Sequence, residues 1–85
     1  MTVRLTPDGL IELQGLCPSE DAEVLLRQLL ANPAAVVDWH ACESAHTAVI
    51  QVLLLARPTL QGVPIGAALR DWVHPLLLSS RHPGP

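Results

Sequence analysis

"VVDWHACESAHTAVIQVLLLA", residues 36 to 56, decides how the whole chain is read. It opens on a short apolar run containing β-branched residues. It then passes through a polar bend and ends in a nearly unbroken apolar stretch. The first part suits a buried strand, because such strands read as short continuous apolar runs. The last part, "AHTAVIQVLLLA", carries Ala48, Val49, Val52, Leu53 and Ala56 at helical spacing, and Ile50 and Leu54 widen the stripe. A helix buried over most of its girth is expected there, with Ser44 as its N-cap and Pro58 beyond its end.

The same reasoning extends outward in both directions. Residues 2 to 15, "TVRLTPDGLIELQG", alternate apolar and polar on either side of "PDG" and predict a β-hairpin that ends at Gly15. "PSEDAEVLLRQLLANP" predicts a helix with Ser19 as N-cap, acidic residues in its first turn, and an apolar face of Ala22, Leu25, Leu26, Leu29 and Leu30. A helix between two strands of one core implies a βαβ unit with a parallel pairing. "TLQGVPIG" leaves room for one short strand. "AALRDWVHPLLL" predicts a third helix with Leu69, Trp72, Val73, Leu76 and Leu77 facing inward, bent or split at Pro75. The sum is an α/β domain over residues 1 to 78, a mixed sheet of about four strands with about three helices on it. Residues 79 to 85, "SSRHPGP", read as a disordered tail.

Composition narrows the functional classes. The chain has 85 residues and a net charge of −3, with no Lys and its five Arg scattered. Nucleic acid is a poor partner for such a surface, since phosphate neutralisation needs clustered positive charge. Only two aromatic residues are present, Trp39 and Trp72, too few for a base-stacking platform. The N-terminus lacks a signal-like apolar segment, and the longest apolar run, interrupted at Gln51, is too short to span a bilayer. The expectation is a cytoplasmic protein without membrane insertion, with Cys17 and Cys42 as reduced thiols.

The bend supports three chemistries. His40, Cys42 and His46 offer zinc-type or thiol-sensor ligands, although H-x-C-x3-H matches no standard spacing and a fourth ligand such as Asp38 or Glu43 would be needed. Cys42 and His46 invite a nucleophile–base pair, but no oxyanion donor or orienting group accompanies them. "QGVPIG" lacks the Lys and Ser/Thr of a phosphate-binding loop. No catalysis and no cofactor are expected. The third chemistry is recognition. Thr47 falls in the first turn of a helix, where free N–H groups and the dipole favour an anion, and phosphorylation there would change the surface charge by nearly two units. A Thr at a helix start also serves simply to cap its own helix. Trp39 is either a core filler at the sheet end or an exposed anchor for a partner.

The order strand, strand, helix, strand, bend, buried helix, short strand, helix resembles the STAS domain of anti-sigma factor antagonists and sulfate-transporter tails. In that family a strand ending in Asp leads to an Asp-Ser-Ser/Thr-Gly-Leu motif opening a helix, the two aspartates usually eight positions apart. Asp38 takes the first position here and His46 the second. Thr47 and Ala48 occupy the Ser-Ser/Thr pair, Val49 the Gly and Ile50 the Leu. His46 and Val49 depart from the family's pattern, and the last strand region is short. The resemblance implies a bacterial, non-enzymatic signal-transduction module in which Thr47 stands where antagonists carry their phosphoacceptor. Asp38, Trp39, His40, Glu43, Ser44 and His46 would form the partner-binding surface. The implied partners are a kinase-fold anti-sigma factor or a chemosensory regulator. Thr47-Ala48 is also similar to the small STAS subunit of lipid-transport ABC systems, which implies an ABC ATPase instead. Self-association through an unpaired sheet edge is a further expectation.

Overall fold

The computed structural model describes residues 2–80 of the chain. The hairpin forms as β1 (Val3–Leu5) and β2 (Leu10–Leu13), closed where the Thr6 hydroxyl and the Leu10 backbone bond each other across the turn. The chain then continues as a strand. Gly15 does not end the hairpin but opens β3 (Gly15–Cys17). Helix α1 (Asp21–Ala31) leads to β4 (Val36–Asp38), and β5 (Cys42–Ala45) precedes α2 (Thr47–Ala56). After β6 (Thr59–Gln61), a π-helical turn (Leu69–Val73) runs into α3 (His74–Ser80). The tail expected from residue 79 lies, beyond Ser80, outside the described residues.

Four strands form one mixed sheet in the order β1-β2-β4-β6, with β1 antiparallel to β2 and the other pairings parallel. The parallel β2–β4 pair, separated by α1, is the βαβ unit that the pattern predicts. β3 and β5 form a second, two-stranded parallel sheet, with a register shift between Gly15 and Leu16. An α/β domain is therefore present, with one short strand pair more than the sequence pattern suggests.

The register explains the burial. Ile11 and Val37 are partners in the large sheet and neither is exposed to solvent, while one residue further Glu12, Asp38 and Gln61 make a polar row. α1 and α2 pack on each other, and Leu25, Leu29, Val49, Val52 and Leu53 complete an aliphatic core. Burying one such side chain is worth roughly 1.5–3 kcal/mol, and the cluster has one aromatic residue, Trp39, among these aliphatic ones. Leu26 and Leu30, expected on the inner face of α1, are exposed. The buried stripe of α1 is the Asp21–Leu25–Leu29 line, with Ala22 and Val24 partly covered.

Both predicted N-caps are replaced. The Pro18 and Ser19 carbonyls accept from Asp21 and Ala22, so the chain turns into α1 through its backbone, and Glu20 holds the cap position in helical geometry. Ser44 is paired with Leu16 inside β5, which removes it from the start of α2. His46 caps α2 instead, its Nδ1 accepting from the Ala48 N–H at 3.0 Å. At the far end Pro58 disfavours helical geometry for its predecessor, and Arg57 leaves the helix in the left-handed conformation (φ 48°).

The last helical segment departs furthest from its pattern. Pro75 has no N–H and its ring crowds the carbonyl four residues back. The turn before it widens, so that the His74 N–H reaches the Leu69 carbonyl five residues away. The inward residues then recur every four positions, as Leu69, Val73 and Leu77. Trp72 and Leu76 each stand one position behind that line and emerge into solvent, Trp72 with 77% of its surface exposed.

Candidate functional site

The residues of the bend separate into two groups. Asp38 ends β4 and Trp39 follows it, and both are buried. Trp39 is thus a core residue and not a partner's anchor. Its indole N–H donates to the Gly62 carbonyl at 3.0 Å, and its ring lies 5.7 Å from that of His74. Asp38 is also withdrawn from any docking face. Its Oδ1 accepts from the His40 backbone at 3.1 Å and from His40 Nδ1 at 2.7 Å, and its Oδ2 accepts from Gln61 Nε2 at 3.3 Å. Burial pushes the Asp38 carboxyl up, but the hydrogen bonds from His40 and Gln61 outweigh it and hold the carboxyl below its ordinary value. His40 itself is exposed, with its ring oriented by Asp38.

Gly62 and Gly66 make this region possible. Gly62 has φ +80°, and a Cβ there would stand 2.8 Å from His40 Cβ. Gly66 brings its N–H to the Cys42 carbonyl at 3.2 Å, so close that a Cβ would lie 1.7 Å from the Glu43 carbonyl oxygen. The loop after β6 therefore lies along β5 and fixes it from the side away from β3.

The second group is exposed: Glu43 and Ser44 on β5, whose successive side chains leave opposite faces of the strand, His46 at the cap and Thr47 at the first residue of α2. Leu16, opposite Ser44 in register and 66% exposed, borders it. The first turn of α2 has no acidic side chain. An anion at Thr47 would meet the positive end of the helix dipole without a competing carboxylate in that turn, while the Ala48, Val49 and Ile50 N–H groups are already taken by His46.

His40, Cys42 and His46 do not converge. His40 Nδ1 is engaged by Asp38, His46 Nδ1 by the Ala48 N–H, and Cys42 is fully buried and turned inward. Among the described residues no three His, Cys, Asp or Glu side chains are grouped to hold a metal ion. Cys42 instead meets Cys17, with a sulfur–sulfur distance of 3.8 Å. Sequence reasoning missed that contact, along with Gln61 and Gly62 beside Asp38. The signal available for the thiols was the "GLC" alternation after Gly15, a strand pattern ending on one cysteine. A groove of about 340 Å³ lies away from the bend, where Leu26, Leu30 and Pro33 face Ala56 and Pro58. No described helix is long and apolar enough to cross a membrane.

Comparison with protein-family models, curated proteins and solved structures finds no match to this chain.

Proposed function

We propose that this domain is a non-enzymatic protein-interaction module of a bacterial, cytoplasmic regulatory system, docking through Glu43, Ser44, His46 and Thr47. The observation that supports this reading is the exposed Thr47 at the first residue of a ten-residue helix, directly after the exposed cap His46 and the exposed Glu43 and Ser44 of β5. A phosphate on Thr47 is accommodated by the helix start, and it changes what a partner meets without disturbing the core. The STAS resemblance of residues 36 to 56 points to a kinase-fold anti-sigma factor or a chemosensory regulator as that partner. His40 is exposed but held by Asp38, and Asp38 and Trp39 are buried and take no direct part in docking.

A second reading keeps the fold and makes the domain a permanent subunit bound to an ABC ATPase. It is favoured by the exposed apolar side chains of the C-terminal third, Val63, Ile65, Trp72, Leu76 and Leu78, because permanent interfaces are the more apolar ones. Affinity capture from the native host with wild type, Thr47→Ala and Thr47→Glu as baits separates the two. Capture of a kinase-like regulator by wild type and its loss with Thr47→Glu supports regulated docking. Capture of an ABC ATPase by all three baits, abolished by Trp72→Ser, replaces it with the subunit reading.

A further inference from the structure

We propose that Cys17 and Cys42 form a redox-active dithiol, which closes to an intramolecular disulfide when a small hydroperoxide is supplied. The pair is assembled by the fold. Cys17 ends β3 and Cys42 begins β5, 25 positions later, and the two sulfurs touch at 3.8 Å. Both side chains are buried, with 3% and 0% of their surface exposed. The sulfurs must approach from contact to a bond of about 2.05 Å. The register shift between Gly15 and Leu16 places a natural point of adjustment in β3, two residues from Cys17.

The two thiols are not equivalent. The hydrogen bond from the Cys42 thiol stabilises a Cys17 thiolate and lowers the Cys17 thiol against burial, which pushes it up. Giving that hydrogen bond to Cys17, and burial, together raise the Cys42 thiol. With Cys42 as the donor across the 3.8 Å contact, Cys17 is the nucleophile and Cys42 the resolving thiol. In the first step the Cys17 thiolate attacks one peroxide oxygen and the O–O bond breaks. The leaving hydroxide takes a proton to become water, and Cys17 becomes a sulfenic acid. In the second step Cys42 sulfur attacks Cys17 sulfur, the S–O bond breaks, and the departing hydroxide leaves as water with the Cys42 proton. Two thiols and one hydrogen peroxide give one disulfide and two waters. Peroxide is comparable in size to water, and opening of the short two-stranded sheet admits it.

The Cys17 carbonyl accepts the His46 N–H at 2.9 Å, so the new bond forms directly beneath the cap of α2. The dithiol stands whether or not the surface at Thr47 docks a partner.

The test is to expose reduced, full-length, folded protein to hydrogen peroxide, block remaining thiols under denaturing conditions, and measure intact and tryptic masses. Arg57 precedes Pro58, so trypsin leaves the cysteines on peptides 5–27 and 28–70. The expected result is a monomer that has lost two hydrogens and takes up no blocking reagent. Its two peptides are joined, the link is reversed by a thiol reductant, and the midpoint of thermal unfolding rises. Cys42→Ser, which keeps a donor for the Cys17 thiolate but cannot resolve, should halt at a Cys17 sulfenic acid captured by dimedone, while Cys17→Ala leaves Cys42 uncaptured. Should either variant fail to fold, the joined peptides of the wild type decide alone. Two free thiols after treatment, single-sulfur over-oxidation, or a disulfide only between chains would each overturn the proposal.

Discussion

Trp39 and Trp72 are the same side chain in opposite settings, one 1% and the other 77% exposed. Trp39 has a hydrogen-bond acceptor for its indole in the Gly62 carbonyl and a ring partner in His74, so it joins the end of β4 to the loop after β6 and the start of α3. Trp72 lies on the π-helical turn, which rotates it away from the line of Leu69, Val73 and Leu77. Hydrophobicity alone does not assign an aromatic residue to the core. Trp39 follows β4, which is flanked by strands on both sides, whereas the surroundings of Trp72 were decided by Pro75, three residues on.

The contrast can be broken from the buried side. Trp39→Ala should cost roughly 3–5 kcal/mol, read from urea unfolding, since it removes the largest buried side chain and leaves the Gly62 carbonyl without its donor. An unfolding midpoint unchanged from wild type would sink the account of Trp39 as the pin of this region. Gly66→Ala attacks the same wall from the other side. The added Cβ meets the Glu43 backbone, and a loss of about 3 kcal/mol, the upper end of ordinary overpacking, is expected by thermal denaturation.

Asp38→Asn probes the hydrogen bonds that tie the end of β4 to His40 and Gln61, with an expected cost of about 1 kcal/mol at neutral pH. The sign with pH follows from the direction of the shift. Asp38 is held below its ordinary value in the folded state. Its contribution is therefore complete above the unfolded carboxyl value of about 3.9, and is lost as pH falls through the lower folded value. The variant should lose that part of the acid limb, and an identical pH–stability curve would remove Asp38 from the explanation.

The smallest effect belongs to the exposed ring. Trp72→Phe should change stability by no more than about 0.5 kcal/mol, as surface substitutions do. It should also shift the intrinsic fluorescence to shorter wavelength, because the emission that remains comes from the buried Trp39. A shift to longer wavelength would mean that the two environments are exchanged.

Much of the architecture was legible in the chain because it rests on periodicity. The hairpin, α1, β4, α2 and β6 all follow from apolar spacing and from Pro and Gly punctuation. What was illegible rests on partners distant in sequence. "CESA" has too little apolar content to announce a strand, and it becomes one by pairing with β3 and by the approach of Gly66. That pairing took Ser44 out of its expected capping role and gave the cap to His46. Of the surface expected at the bend, Glu43, Ser44, His46 and Thr47 are exposed, His40 is exposed but tied to Asp38, and Asp38 and Trp39 are inside. The difference between those sets is which side of a strand end each residue occupies, and loop residues carry no alternation from which to read it.

The strand order has a consequence for assembly in time. β4 lies between β2, which precedes it, and β6, which follows the whole of α2. When synthesis has delivered residues 2 to 38, the hairpin, α1 and β4 can already meet. One edge of β4, together with the Trp39 indole, nevertheless waits for residues 59 to 62 to arrive. A nascent chain stopped before β6 presents an unpaired apolar strand edge, the template on which chains associate. The closing segment is also the one governed by Gly62, Gly66 and Pro75, so substitutions there should lower the yield of folded protein during synthesis more than their equilibrium cost alone requires.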